Sequence, residues 1–277
     1  MCKDEIYRKI FEKSDSKKDI FFIAGPCVIE SRDLAFAVAE KLAFFSKENN
    51  LFFIFKSSYR KANRSSIDSY SGPGIDEGLK ILSEIKKEFG LPVLTDIHES
   101  NEASAAAEVA DIIQIPAFLC RQTDLLVSAA KTGRAVNIKK GQFASAKEME
   151  FAAAKVVSAG NNTIILTERG TTFGYNNLVV DFRNFMDMKK IGFPVVYDVT
   201  HSLQRPAADG KVSGGNPEHA VKMACAAVAT GCVDGIFFET HTDPRSALSD
   251  AGSMIDIPAA LELMQRTVEL YRGMNRI

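Results

Sequence analysis

The amino-acid sequence predicts a single-domain (β/α)8 barrel. Short apolar runs alternate eight times with longer stretches of helical periodicity in 277 residues, and no linker divides the chain. The short runs are apolar on both faces, as parallel strands are when helices cover both sides of the sheet. The chain length also fits, because closed barrels of eight such units have about 250 residues.

An open, doubly wound α/β sheet is the competing fold, because it has the same alternation of strands and helices. The first strand–helix unit has no GxGxxG turn, and the chain has no GxxxxGK[ST] phosphate loop. These absences weaken the nucleotide-binding versions of the open sheet. Eight consecutive units favour the closed barrel.

The predicted elements follow one another in regular order. The strands are rich in Val, Ile, Leu and Phe and cover residues 21–24, 52–56, 93–96, 112–115, 136–139, 164–168, 195–198 and 236–239. The helical patterns cover residues 33–48, 75–89, 101–109, 122–132, 146–158, 178–190, 217–230 and 257–272. We predict residues 1–19 to be a polar N-terminal extension and residues 20–277 to be the barrel domain.

Composition and charge limit the class of protein. Hydrophobic residues make up 46% of the chain and charged residues 25%, and the net charge of -1 gives no bulk attraction to nucleic acid or anionic membrane. The first residues lack an apolar signal-peptide core, and the apolar runs are too short to cross a bilayer. Five cysteines without framework spacing are typical of a reducing compartment. We therefore expect a cytoplasmic enzyme.

Cationic residues follow several of the predicted strands. In a barrel, the carboxyl ends of the strands form the open end that carries the active site, here called the mouth. The cations at these ends or in the loops after them are Lys56, Lys61, Arg64, Arg121, Lys139 and Arg169. Converging Lys and Arg side chains suit phosphate and carboxylate groups. The pattern predicts a small substrate with several anionic groups, although a solvated rim would account for any one of these residues.

A second group of residues has the donor types of a metal site. Cys27, His201 and Glu239 follow the first, seventh and eighth strands, which become neighbours when the barrel closes, and Asp250 lies further along the last loop. A thiolate, an imidazole and carboxylates can bind Zn²⁺, Fe²⁺ or Mn²⁺. His241 shares a strand face with Glu239, so either could be the ligand. A buried structural Cys and a hydrogen-bonded His are the alternatives.

Several motifs resemble those of 3-deoxy-D-manno-octulosonate 8-phosphate synthases. The motifs are AGPCVIES at 24–31, KANRSS at 61–66, QIPAFL at 114–119, RQTD at 121–124, KKGQF at 139–143, RG at 169–170 with FGY at 173–175, and DVTHSLQ at 198–204. They occur in order from about residue 21 to the C-terminal helix. The resemblance implies a TIM barrel, usually a homotetramer. It would condense phosphoenolpyruvate with D-arabinose 5-phosphate and water, a transferase step of lipopolysaccharide sugar biosynthesis.

The resemblance also implies roles for individual residues. Phosphoenolpyruvate would be held by Lys61, Lys139, Arg169, Gln114 and the Ala117 backbone, with Phe118, Lys56 and His201 close by. The sugar phosphate would be gripped by Asn63, Arg64 and Ser65, with Arg121 reaching in from a neighbouring subunit and Asp96 binding a hydroxyl. His201, Lys139 and Lys61 are the candidate catalytic residues.

The family divides at the residue after Gly-Pro. Cys27 at this position resembles the metal-requiring class, and Asp250 in the Ser249-Asp250-Ala251 segment matches the fourth ligand of that class. We expect one divalent ion, Zn, Fe or Mn, held by Cys27, His201, Glu239 and Asp250. We also expect the cationic cleft to lower the pKa of the Cys27 thiol.

Three other functions compete with this one. The nearest is a related synthase that uses erythrose 4-phosphate, but its relatives generally carry Lys-Pro-Arg-Thr-Ser where this chain has KANRS. A metal-dependent hydrolase barrel tends to carry a His-x-His pair on its first strand, which here ends in Gly-Pro-Cys. A non-catalytic barrel that binds phosphate esters would have no use for the metal-binding residues.

Overall fold

The computed structural model describes residues 3–12, 19–62, 66–175, 177–206 and 214–274. Within them, eight parallel strands form a closed barrel in chain order, in which the first strand pairs with the last. The strands are β1 (Phe21–Gly25), β2 (Phe53–Lys56), β3 (Val93–Asp96), β4 (Ile112–Ile115), β5 (Ala135–Lys139), β6 (Ile164–Glu168), β7 (Val195–Asp198) and β8 (Gly235–His241). The predicted (β/α)8 barrel is confirmed.

The helices surround the barrel, and all but the first follow strands in sequence. They are α1 (Lys3–Ile10), α2 (Arg32–Glu48), α3 (Ile75–Phe89), α4 (Glu102–Val109), α5 (Thr123–Lys131), α6 (Met149–Ser158), α7 (Arg183–Lys190), α8 (Val199–Ser202), α9 (Ala220–Ala229) and α10 (Ile257–Met274). The apolar faces of α2 to α10 pack on the outside of the strands and form the larger hydrophobic core. Among the described residues, no helix is long and apolar enough to span a membrane.

A second, smaller core fills the inside of the barrel near the amino ends of the strands. Every strand contributes to it, through Phe21, Ile23, Ile54, Leu94, Ile112, Ala135, Ile165, Val196 and Phe237. Ile6 and Ile10 of α1 are buried in the same cluster, so this N-terminal helix covers the amino end of the barrel. Residues 13–18 lie outside the described part of the chain.

The inward-facing side chains change from apolar to polar two residues further along each strand. Residues two positions apart on a strand share a face, so Ile54 is followed by Lys56, and Phe237 by Glu239. The inward positions nearer the carboxyl ends are polar and buried, and they include Lys56, Asp96, Gln114, Asn137, Thr167, Asp198 and Glu239. The strand pleat alone thus places a polar layer directly above the apolar one.

Two segments differ from the sequence-based predictions. The helix predicted at 178–190 begins only at Arg183, because Leu178–Val179 pairs with Thr171–Thr172 in an antiparallel hairpin. The apolar run at its start resembles a helical pattern, but it continues the hairpin. The short helix α8 was not predicted. Asp198 caps it by accepting a hydrogen bond from the His201 backbone N–H at 3.0 Å.

Candidate active site at the mouth of the barrel

A cleft lies at the mouth and collects side chains from seven of the eight strands or the loops that follow them. Its lining residues are Lys56, Lys61, Asp96, His98, Gln114, Pro116, Ala117, Phe118, Lys139, Gln142, Arg169, His201 and Glu239. Four of the six cations predicted to converge therefore line one cleft. Arg121 is exposed on the loop after β4 and is not among them, and Arg64 lies outside the described residues.

Two buried lysines of the cleft are paired with buried carboxylates. Lys56 Nζ lies 2.6 Å from Glu239 Oε1 and donates to the Cys27 carbonyl oxygen at 3.0 Å. Lys139 Nζ lies 2.5 Å from Asp198 Oδ2. A buried charge without a partner would be costly. In each pair the lysine and the carboxylate therefore offset the desolvation cost of one another.

These pairs displace the pKa values of their carboxyl groups. Burial raises the pKa of Glu239, but the nearby positive charges of His201 and Lys56 outweigh burial and hold the pKa well below its usual range. The pKa of Asp198 is lowered in the same way by His201 and Lys139, again against burial. For Lys139, burial lowers the pKa and the attraction of Asp198 only partly opposes it. Both carboxylates are therefore ionised at neutral pH.

Arg169 presents a free hydrogen-bonding group to the cleft. Its side chain is buried, and its Nη2 donates to Gln204 Oε1 at 2.9 Å. Its Nη1 is buried and has no hydrogen-bond partner among the described residues. An unpaired guanidinium nitrogen beside a cleft is suited to a carboxylate or phosphate oxygen.

The backbone around Arg169 is held by a third buried ion pair, between Glu168 and Lys140. Glu168 Oε1 accepts from the backbone N–H groups of Arg169 and Gly170 at 2.9 and 2.7 Å. The same oxygen lies 3.3 Å from Lys140 Nζ, and both side chains are fully buried. Lys140 in turn donates to the Ala144 carbonyl oxygen at 3.0 Å. The pair thus ties the loop after β5 to the loop after β6.

Three of the four predicted metal ligands lie together. The ligand atoms of Cys27, Glu239 and Asp250 are all within 4.8 Å of one another. Cys27 Sγ donates to Asp250 Oδ2 at 3.0 Å, and Glu239 Oε2 is buried without a hydrogen-bond partner in the described part of the chain. A buried acceptor without a partner and a soft sulfur donor fit a borderline divalent ion.

His201 lies at the edge of this group. Its Nε2 is 3.6 Å from Glu239 Oε2, and its Nδ1 lies 2.8 Å from Asp198 Oδ2. The Asp198 carboxylate can only accept, so Nδ1 carries a proton and donates to it, and Nε2 faces Glu239. His201 is not one of the three residues whose ligand atoms lie mutually within 4.8 Å.

The sequence left open whether Glu239 or His241 faces this group. Glu239 belongs to it, whereas His241 Nδ1 accepts from the Asp243 backbone N–H at 3.0 Å. His241 Nε2 points instead toward Glu30, whose Oε1 lies 3.6 Å away and also accepts from the Leu248 backbone N–H at 2.9 Å. His241 is thus engaged in holding loops together.

The expected low pKa of Cys27 is wrong. Burial raises the pKa of this thiol well above its usual value, and the charges of Asp250 and Glu239 raise it further. Lys61 and Lys56 act in the opposite direction but do not compensate. Without a cation at this position the thiol is therefore neutral. The sequence could not show this, because the two carboxylates come from the far end of the chain.

The side of the cleft assigned to the sugar is anchored by Asp96. Its Oδ1 accepts from Ser58 Oγ at 2.5 Å, and its Oδ2 lies 3.2 Å from His98 Nε2. Gln114 Oε1 accepts from Asn137 Nδ2 at 3.0 Å. The remaining sugar-phosphate residues predicted from the sequence, Asn63, Arg64 and Ser65, lie outside the described residues.

Sequence reasoning gave no role to several residues that shape the site. Asp198 was predicted only as the last residue of a strand and the first of a motif, yet it contacts both Lys139 and His201. His98, Gln142 and Gln204 were also given none. The signal available for Asp198 was its position three residues before His201, which suits a helix cap. No such signal exists for Gln204, because its partners come from different loops.

Comparisons with known proteins agree with this architecture. A model of the DAHP synthetase I family matches residues 9–272. Similar proteins are each named "2-dehydro-3-deoxyphosphooctonate aldolase". The one from Trichlorobacter lovleyi is 53% identical over 89% of this chain and 91% of its own length. Those from Desulfatibacillum aliphaticivorans and Campylobacter jejuni are 53% and 50% identical, over 92% and 91% of this chain and 93% and 97% of their own lengths.

These relatives align with 89 to 92% of this chain. The resemblance inferred from the sequence motifs is thereby confirmed. With a family model that matches all but the ends of the chain, the protein belongs to the DAHP synthetase I family.

Proposed function

We propose that this protein condenses phosphoenolpyruvate with D-arabinose 5-phosphate and water to give 3-deoxy-D-manno-octulosonate 8-phosphate and phosphate. The observation that carries the proposal is that a cleft lined by Lys56, Lys61, Lys139 and Arg169 adjoins the cluster of Cys27, Glu239 and Asp250 at the mouth. The names of the relatives support the same reaction. In the cell it would serve lipopolysaccharide sugar synthesis in the cytoplasm.

The cations of the cleft would bind phosphoenolpyruvate, which carries one carboxylate and one phosphate. Arg169 Nη1 has no partner among the described residues and would pair with one of these groups. Lys139 and Lys61 would neutralise further charge, and Gln114 with the Ala117 backbone would supply hydrogen bonds. Bringing two anionic substrates together requires this excess of positive groups.

The aldehyde substrate would occupy the opposite side of the cleft. Asp96 would accept a hydrogen bond from a sugar hydroxyl, because Ser58 and His98 already hold its carboxylate in place. Asn63, Arg64 and Ser65 would bind its phosphate. Arg121 is exposed, as a residue contributed to a neighbouring subunit of a homotetramer would be in a single chain.

The condensation forms a carbon–carbon bond between carbon 3 of phosphoenolpyruvate and the aldehyde carbon. A water molecule adds at carbon 2, and phosphate leaves. A divalent ion, Zn, Fe or Mn, would be held by Cys27, Glu239 and Asp250, with His201 as the fourth ligand. When bound, it would supply Lewis-acid polarisation of an oxygen or an acidified water. Asp198 would keep the His201 ring oriented through Nδ1.

The proposal is tested by phosphate release from phosphoenolpyruvate with a panel of aldehydes. We expect turnover with arabinose 5-phosphate, loss of turnover after chelation, and recovery on adding back one divalent ion. Faster turnover with erythrose 4-phosphate would assign the chain to the related seven-carbon synthase. Binding without phosphate release from any aldehyde would contradict an enzymatic role.

A further inference from the structure

The side chain of Gln204 joins Arg169 in the cleft to Asp250, one of the three clustered candidate metal ligands, Cys27, Glu239 and Asp250, here called the metal-binding group. Gln204 Oε1 accepts from Arg169 Nη2 at 2.9 Å, and Gln204 Nε2 donates to Asp250 Oδ1 at 3.0 Å. A guanidinium can only donate and a carboxylate can only accept, so the two partners fix which end of the amide faces which residue. Both polar ends of Gln204 are therefore committed.

Each partner of Gln204 has its other polar atom directed at a ligand position. Arg169 Nη1 is buried without a partner among the described residues. Asp250 Oδ2 accepts from Cys27 Sγ at 3.0 Å and belongs to the metal-binding group. Rotating either side chain would break its bond to Gln204. The amide consequently holds two binding groups in fixed orientation at once.

Asp250 carries its carboxylate on a loop. Its backbone has a φ of 50°, a left-handed conformation that is uncommon outside glycine. It lies in the long loop between β8 and α10, away from the strand that carries Glu239. Gln204 and Cys27 provide the side-chain hydrogen bonds to its two oxygens. A carboxylate on a loop needs such contacts to remain in a binding geometry.

We infer that Gln204 is a positioning residue that couples anion binding at Arg169 to cation binding at Cys27, Glu239 and Asp250. The inference rests on the proposed function, since it concerns the same two ligands. A ligand that orders Arg169 also orders Gln204 and hence Asp250, so phosphoenolpyruvate and the metal ion each strengthen the binding of the other. Coupling between two sites is reciprocal, and factors of about 5 to 150 are typical.

Gln204→Met and Gln204→Glu test the coupling. Met keeps the size of the side chain and removes both hydrogen bonds. Glu keeps the acceptor for Arg169 but places a negative charge beside Asp250. The measurement is the Kd of Zn²⁺ with and without phosphoenolpyruvate, and the Kd of phosphoenolpyruvate with and without Zn²⁺, by calorimetry. Gln265→Met on the outer helix α10 is the matched control, with circular dichroism to verify folding in every variant.

In the wild-type protein we expect each ligand to tighten the other about tenfold. Gln204→Met should weaken both ligands and reduce the coupling factor to about threefold or less, leaving only direct attraction between them. Gln204→Glu should act in opposite directions. Zn²⁺ should bind as tightly or more tightly, because the added negative charge attracts the cation and offsets the hydrogen bond that Asp250 loses. Phosphoenolpyruvate should bind about tenfold more weakly, because the introduced carboxylate would compete with it for Arg169.

A purely structural role for Gln204 would instead weaken both ligands in both variants. An unchanged coupling factor in Gln204→Met would overturn the inference while leaving the proposed function intact. If the wild-type protein bound neither Zn²⁺ nor phosphoenolpyruvate, the proposed function itself would fail, and the inference with it.

Discussion

The two ends of the barrel interior are built on the same strands but obey different rules. The amino-end layer is entirely apolar and is covered by Ile6 and Ile10 of α1. The layer above it contains buried charges such as Lys56 and Glu239, only one pleat repeat away from Ile54 and Phe237. About 7 Å of strand therefore separates the part that stabilises the fold from the part that serves chemistry.

The difference shows how the protein limits the free-energy cost of burying charged side chains. Burying an apolar side chain contributes roughly 1.5 to 3 kcal/mol, whereas a buried ion pair often contributes nothing net. The charged layer is tolerated because its lysines and carboxylates are paired, as Lys139 is with Asp198. Substitutions at the mouth should therefore affect function, and substitutions at the amino end should affect stability.

The sharpest contrast is between two cysteines. Cys27→Ala should lower activity by about a thousandfold, equivalent to roughly 4 kcal/mol, because a metal ligand is lost while the barrel stays folded. Cys232→Ala, near the amino end of β8, should leave activity unchanged. Metal content, kcat and circular dichroism would be measured for both. Full activity of metal-free Cys27→Ala would rule out the ligand assignment.

The buried pair beside Arg169 should behave differently from both layers. Lys140→Met leaves Glu168 charged and buried without its cation, which should cost about 3 to 4 kcal/mol in the free energy of unfolding. Urea denaturation would measure it. The double variant Lys140→Met with Glu168→Gln removes both charges and keeps an acceptor for the Arg169 and Gly170 backbone. It should recover at least half of the loss, and no recovery would show that the charges are not coupled.

The third comparison is between Arg169 at the mouth and Arg134 at the amino end of the barrel. Arg169→Ala should raise the KM for phosphoenolpyruvate about a hundredfold, since one anionic group of the substrate loses its charged partner. Arg134→Ala, whose Nε donates to the Ala107 carbonyl oxygen at 2.9 Å before β5, should leave KM unchanged. Steady-state kinetics would decide. An Arg169→Ala enzyme with normal KM would exclude this residue from substrate binding.

The smallest expected effect is at the amino end. Ile6→Ala should lower the free energy of unfolding by about 2 kcal/mol, because it opens a cavity between α1 and the apolar layer. The exposed neighbour Tyr7 provides a control, since Tyr7→Ala should change stability far less. A kcat that falls in parallel with stability in Ile6→Ala would mean that the two layers are not independent.

The strands of the barrel and much of its mouth were predictable from the sequence. The strand bounds agree to within one or two residues, because strands buried on both faces are apolar without interruption. The convergence of Lys56, Lys139 and Arg169 followed from the barrel itself, since parallel strands all end at the mouth. Closure also made Cys27 and Glu239 neighbours, as predicted from their positions on the first and last strands.

The parts that were missed depend on side-chain direction and on loops. The hairpin that displaced the start of the predicted 178–190 helix is a contact between Thr172 and Leu178, which periodicity does not register. The raised pKa of Cys27 follows from two carboxylates remote in sequence. The partners of Gln204 are likewise 35 and 46 residues away. Sequence patterns report local geometry, and these features are set by tertiary contacts.

Barrel closure has a further consequence for how the protein is made. A side chain at Gly25 would overlap the Lys56 carbonyl oxygen, so glycine lets β1 approach β2 closely. The other edge of β1 pairs with β8. Cys27 and Asp250 are 223 residues apart. A ribosome delivers the chain from its N-terminus, so Cys27 emerges long before Glu239 and Asp250. Cys27, Glu239 and Asp250 can therefore come together only after the last strand of the barrel has been made and has paired with β1.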